Sequence, residues 1–383
     1  MPCRVAALAI LVATLALPLA GAWIAHTFHV GPDAVPWRSL FSFPPPLDIP
    51  TDHPRFSWSA FGAVVAVLGA LGAAWRHART PMVLQEIGSN APRRLPTWGW
   101  LALAWTTAWW VLAWTRNAWF APWQAYTFFP LWLGFIVGVN ALTEARGADC
   151  LLRRAPAAWL ALFAASAGFW WVFEWLNRFV RNWHYLGAGE FGPWGYAVHA
   201  TLCFSTVLPA VTAVSDWLRT FPRLNLRCAA GPRWSAIATA RARAILIVAG
   251  LAALLLTGIR PRETYPALWV APLMLTLGAG AAGITRELAG GDWRRAATWM
   301  LAALVCGFFW ELWNWRSVAK WIYTVPYVDR WHVFEMPIAG YAGYLPFGLE
   351  CLLVADWVLA QRETLNARCP TLTLNHSERI RPS

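Results

Sequence analysis

Two nearly matching stretches hold the residues of this chain best suited to chemistry: FWWVFEWLN, ending at Asn177, and GFFWELWN, ending at Asn314. Each sets a Glu three residues before an Asn, as Glu174/Asn177 and Glu311/Asn314. At that spacing both side chains share one face of a helix. Both stretches come late in a long apolar segment, and a carboxylate at the centre of a bilayer costs roughly 2.5–3.5 kcal/mol. A group kept at that cost reads as a proton donor, a proton acceptor or a counter-charge. The competing reading is structural: the Glu reaches toward the interface and the Asn bridges helices. For one pair the two readings balance, and the repetition tips them toward function.

More acid lies near the second copy. Glu335 falls in the loop after it, and Glu350 in Tyr344-Leu-Pro-Phe-Gly-Leu-Glu350 lies six residues before Asp356. The equivalent stretch of the first half, Ser205 to Ala213, has no carboxylate, although Glu190 precedes it in a loop. The active group is therefore expected in the second half: Glu311 or Glu350 as proton donor, Glu335 as base or electrostatic stabiliser, Asn314 orienting the acid. Glu174, Asn177 and Glu190 form a secondary half-site. His184 and His332, in Trp183-His184 and Trp331-His332, titrate near neutrality but read mainly as interfacial polar residues.

The elements that must position these groups follow from composition. Of 383 residues 58% are hydrophobic and 13% charged, and apolar runs near the roughly 20 residues needed to cross a bilayer recur throughout. The chain reads as an all-α, polytopic transmembrane protein. Ten spans are expected, near residues 5–26, 57–75, 97–115, 124–143, 155–176, 195–218, 240–258, 265–284, 296–313 and 338–360. The first also reads as a signal peptide, with basic Arg4 and the ending Leu-Ala-Gly-Ala.

Ordered matches divide the chain. Pro130-Leu131 and Pro272-Leu273, the Glu-x-x-Asn pairs, the Trp-His loops, Tyr196-Ala197 and Tyr341-Ala342, and Asp216-Trp217 and Asp356-Trp357 occur in the same order twice. They define a tandem repeat of two four-helix units, 97–218 and 240–360, in the same orientation. Two N-terminal spans and a Pro-rich outer loop (1–96) precede it. A basic linker (219–239) joins the halves, and a polar tail (361–383) follows.

The net charge of +12 suggests nucleic acid until its distribution is followed: roughly two thirds of the 31 Lys and Arg fall on one set of alternate loops. That bias predicts an integral membrane protein, in a bacterial inner membrane, with both termini cytoplasmic unless the first span is cleaved. No basic run is dense enough for DNA or RNA. The seven cysteines show no CxxC, and there is no His-x-x-x-His, Glu-x-x-His or Asp cluster, so neither a metal nor another cofactor is expected.

Thirty tryptophans exceed what two interfacial belts require. Trp171, Trp310, Trp313 and Trp315, with Tyr341 and Tyr344, are expected to line a cavity for a flat hydrophobic lipid. Aromatic faces stabilise a desolvated cation by about 2 kcal/mol or more, and a dry wall favours the neutral form of a carboxylic acid. Together these suit protonation of an alkene and control of the resulting carbocation.

The layout resembles integral-membrane isoprenoid enzymes, especially the small lycopene cyclases, with two tandem helical halves and membrane-embedded carboxylates. Glu335-Met-Pro337 is loosely similar to their Pro-x-Glu-Glu signature, which itself is absent. Membrane sterol isomerases are similar in using Glu, Asn and Trp around a cationic intermediate. The resemblance implies a cofactor-independent cyclase, isomerase, ring-expanding enzyme or hydratase acting on an isoprenoid or triterpenoid lipid. The alternatives are a proton-coupled transporter or lipid carrier, and a noncatalytic scaffold in which the Glu and Asn residues hold helices together.

Overall fold

A computed structural model describes residues 2–30, 35–47, 49, 56–77 and 94–368. The described residues are 76% helical, with two very small sheets. Among the described residues eight helices are long and apolar enough to cross a membrane, or nine if one bent pair counts as a single span.

The long helices are α1 (Pro2–Phe28), α2 (Trp58–His77), α3 (Thr97–Trp114), α4 (Phe128–Ala145) and α5 (Pro156–Val180). Then follow α6 (Gly192–Phe204), α7 (Val207–Arg219), α8 (Ala240–Ile259), α9 (Ala267–Ala279), α10 (Ala282–Gly290), α11 (Arg294–Trp315) and α12 (Tyr344–Arg368). Two expected spans differ. Region 97–115 is helical as α3, but its many tryptophans leave it outside the eight. Region 265–284 is not one rod: α9 stops where Gly280 takes φ 108°, a conformation open mainly to glycine, and α10 departs at 92°. At the C-terminus α12 continues helically to Arg368, past the expected end at 360, while the rest of the polar tail lies outside the described residues.

α3 packs on α4, and α8 on α9; α7 lies against α4, α5 and α11, while α12 lies against α11, α9, α5 and α7. The central seam is filled by Trp132, Leu208, Val211, Ala303, Cys306, Phe347 and Cys351, all fully or nearly fully buried. α1 crosses α8 backbone to backbone: a Cβ on Gly21 would lie 2.0 Å from Leu255 O, and one on Gly258 2.0 Å from Pro18 O. Small residues at a crossing let membrane helices approach this closely. α2 stands apart, with none of its described side chains buried.

The break between α6 and α7 is stitched from a third helix. Ser166 Oγ donates to Phe204 O at 2.6 Å and accepts from Leu208 N at 3.0 Å, so backbone groups freed at the junction are satisfied inside the bundle. At the end of the molecule away from the sheets, Arg295 bridges Glu287, at 2.8 Å, and Asp356. Beside it, Asp292 holds Arg294, whose guanidinium keeps that carboxyl below the usual range.

At one end of the bundle, β1 (Trp183–Leu186) pairs antiparallel with β2 (Lys320–Tyr323), setting Trp183 opposite Tyr323 and Tyr185 opposite Trp321. A second tiny sheet joins β3 (His332–Val333) to β4 (Met336–Pro337).

Candidate functional site

The β1–β2 ribbon is built by the two asparagines. α5 closes with Arg181 in the left-handed region (φ 56°), its N–H returning to Asn177 O. Asn177 Oδ1 then accepts from Asn182 N (2.8 Å) and Trp183 N (3.3 Å), and its Nδ2 donates to Trp183 O (2.8 Å). After α11, Asn314 Oδ1 accepts from Trp321 N (2.8 Å), and Nδ2 donates to Trp321 O (2.7 Å). Each asparagine thus ties the chain leaving a helix to the start of a strand, at the first residue of β1 and the second of β2. Its work is structural, on backbone groups that would otherwise be orphaned.

Alternation along a strand then puts Trp183, Tyr185, Trp321 and Tyr323 on one face. Glu174 lies beneath it: Oε1 accepts from Tyr185 OH (2.6 Å), Trp170 Nε1 (2.9 Å) and Trp183 Nε1 (3.0 Å). Glu311 is held in a related way, Oε1 accepting from Tyr323 OH (2.6 Å) and Tyr344 OH (3.0 Å). Trp321 Nε1 donates to Tyr323 OH and not to the carboxyl group, and Tyr344 takes the place of Trp170 for a local reason. Trp170 lies one turn before Glu174, whereas Gly307 lies one turn before Glu311, and a Cβ there would meet the Tyr344 ring at 2.4 Å. The glycine gives the tyrosine its place.

All four ribbon rings line a cavity of about 640 Å³. Trp170, Trp269, Trp310 and Tyr344 form aromatic walls, while Val64, Val67, Leu68 and Leu71 of α2 close one side. Glu174 and Glu311 are not among the lining residues; the tyrosine hydroxyls bonded to them are on residues that are. Behind the wall, Glu174 instead borders a second chamber of about 50 Å³ with Arg178, Arg181, His184 and Pro46.

The structure separates the other expected site residues. Glu350 is buried in α12 but does not line the cavity; its Oε1 accepts from Leu273 N at 3.1 Å. Leu273 directly follows Pro272, which interrupts the ladder inside α9. α4 needs no such carboxylate, because its Pro130 falls in the first turn, where proline is tolerated. Glu335 sits between β3 and β4, its Oε1 2.6 Å from Lys320 Nζ, so its charge is already answered. Glu190 is exposed in the turn before α6.

Of the expected lining residues, Trp310 and Tyr344 face the cavity. Trp313 packs between Trp132, Trp110 and Phe309 in the core, and Trp315 is exposed beside Trp114. Trp171 donates to Thr201 Oγ1, and Tyr341 donates to Val333 O. Helix rotation explains the tryptophans: only one face of each apolar helix turns inward.

The two Trp-His loops are not counterparts in space. His184 is buried with Nε2 2.9 Å from Thr324 Oγ1, whereas Trp331 and His332 are exposed, His332 lying 2.8 Å from Asp329. Trp183-His184-Tyr185 faces Trp321-Ile322-Tyr323 instead. That Trp-x-Tyr pair was the missed signal: it follows each Asn by six or seven residues and alternates at strand period. Among the described residues no three His, Cys, Asp or Glu side chains gather as metal ligands.

Glu311 Oε2 and Glu350 Oε2 are buried without a hydrogen-bond partner among the described residues. The chemistry open to this arrangement is proton exchange at two tyrosine hydroxyls, each backed by a carboxyl group, on the wall of an apolar hollow. Comparison of the chain with protein-family models, curated proteins and solved structures gives no match.

Proposed function

We propose that this protein is a membrane-embedded enzyme that cyclises, isomerises, ring-expands or hydrates a polyisoprenoid or polycyclic lipid, of carotenoid, hopanoid or sterol-like character. One observation carries the reading. Tyr185 and Tyr323, each 2.6 Å from a buried carboxylate, line the same largely aromatic cavity. Proton transfer from a positioned acid starts the reaction, and the ring faces of Trp183, Trp269, Trp310 and Trp321 stabilise the cation that follows. Glu311 is the principal proton store, with Tyr323 and Tyr344 presenting the proton. Glu350 and Glu335 take supporting roles, holding α9 and neutralising Lys320. An apolar substrate enters from the bilayer past α2, the least packed wall.

The same reading makes residues 97–218 and 240–360 a tandem repeat, related across the β1–β2 ribbon. The ribbon end faces away from the cytoplasm, with both termini on the cytoplasmic side.

The test is expression with candidate lipids and mass spectrometry for an isomeric or hydrated product. Glu311→Gln and Tyr323→Phe should each lower turnover by about 10²-fold or more, the usual worth of a general acid, without loss of folded protein. Unchanged turnover in both removes the assignment. One observation favours a lipid carrier instead: α9 and α10 meet at 92°, as broken helices of transporters do. Uptake into proteoliposomes driven by a pH gradient, with the lipid recovered unaltered, would select that reading.

A further inference from the structure

The two carboxylates are not equally enclosed. Glu311 has no exposed surface, whereas Glu174 is 4% exposed and borders the small chamber. The exposed Pro46 lines that chamber together with Ser39, Glu174 and Arg178. Its roof is fixed: Arg178 Nη1 donates to Leu40 O at 3.0 Å and Ser42 O at 2.6 Å, tying the proline-rich segment to α5. About 50 Å³ of water-accessible space between polar groups is room for water. Tyr185 and Trp183 line both this chamber and the main cavity, so a wall one residue thick parts a polar space from an apolar one.

We propose that the small chamber is the water inlet of the site, and that Glu174 and Tyr185 carry protons between it and the main cavity. This deepens the acid–base reading of the cavity and rests on it. The protons balance. With Glu174 protonated and the Tyr185 hydroxyl turned to the substrate, Tyr185 OH gives one proton to the substrate, Glu174 returns one to the tyrosine oxygen, and a hydronium ion relayed through the chamber water restores Glu174 and leaves as water. When the substrate cation later loses a proton, the same three groups pass it outward. The first half is then the port through which the site equilibrates with water, and the second half holds the enclosed Glu311. Tyr185 touches the substrate; Glu174 acts through it as a positioning residue.

The experiment follows indole hydrogen exchange in the full chain labelled with 15N-tryptophan. Trp183 Nε1–H, bonded to Glu174, is compared with Trp321 Nε1–H, bonded to Tyr323 OH. The signals are assigned by Trp183→Phe and Trp321→Phe. In D2O the Trp183 signal should exchange about tenfold faster or more. Two independent plugs, Ser39→Phe and Pro46→Phe, should slow it toward the Trp321 rate while leaving Trp321 unchanged. Equal rates in the unaltered protein, or exchange that neither folded plug slows, overturn the inlet. Because no substrate is needed, the arms separate: asymmetric exchange with no lipid converted supports the inlet and defeats the catalytic reading. Converted lipid with equal exchange does the reverse.

Discussion

Glu174 and Glu311 show how one residue type is used twice with different neighbours. Both oxygens that accept, Oε1 in each case, face ring donors and not backbone, so the carboxyl is gripped by groups that also shape the cavity. Gly307 is the small residue that makes the second grip possible. Gly307→Ala should push Tyr344 away, destabilise the protein by about 1–3 kcal/mol through overpacking, and weaken the Tyr344–Glu311 bond. Thermal unfolding in detergent and the Tyr344 hydroxyl signal would report the two effects. Asn177 and Asn314 belong to the same scale. Asn177→Ala strips partners from three buried backbone groups, each costing about 1–3 kcal/mol when left unpaired. The loss of melting temperature should exceed that of Asn314→Ala, which strips two.

At the scale of the element, two helix interruptions are repaired by side chains from neighbours. Ser166 serves the α6–α7 junction and Glu350 serves the proline-interrupted α9. Glu350→Gln keeps an oxygen for Leu273 N and should leave stability nearly unchanged. Glu350→Leu leaves that buried N–H unpaired and should cost about 1–3 kcal/mol. Equal unfolding midpoints for the two variants would show that the contact contributes nothing. The α1–α8 crossing makes a second prediction. Any side chain at Gly258 meets the α1 backbone at once, so Gly258→Leu should part α1 from α8 and expose the α1 backbone to proteolysis. Intact protection would show that α1 is held by other contacts.

At the scale of the whole molecule, the cavity exists because elements distant in sequence meet. The β1–β2 ribbon covers one end, α9 and α11 supply Trp269 and Trp310, and α2 lies along a side. Since α2 has no buried described residue, a disulfide tying it to the bundle should slow turnover of a lipid substrate while leaving the melting temperature unchanged or higher. Recovery on reduction is the check. Fully retained turnover in the crosslinked protein would mean that entry takes another path.

How much of this was legible beforehand differs by residue. Glu174, Asn177, Glu311 and Asn314 announced themselves through cost and repetition, because charge in an apolar run is rare enough to notice in one dimension. Tyr185 and Tyr323 did not: a four-residue strand has too short a period to stand out, and its partner lies well over a hundred residues away. Glu350 looked like an active acid because nothing in its own segment shows Pro272 across the helix interface. By itself, then, the sequence determined that the chain is helical, apolar enough for a membrane and furnished with costly acids. Which hydroxyl meets which carboxyl, which acid mends a kink, and which tryptophans face the hollow were decided by the tertiary structure. Those are questions of helix rotation and strand register, and both are fixed only when distant surfaces pack.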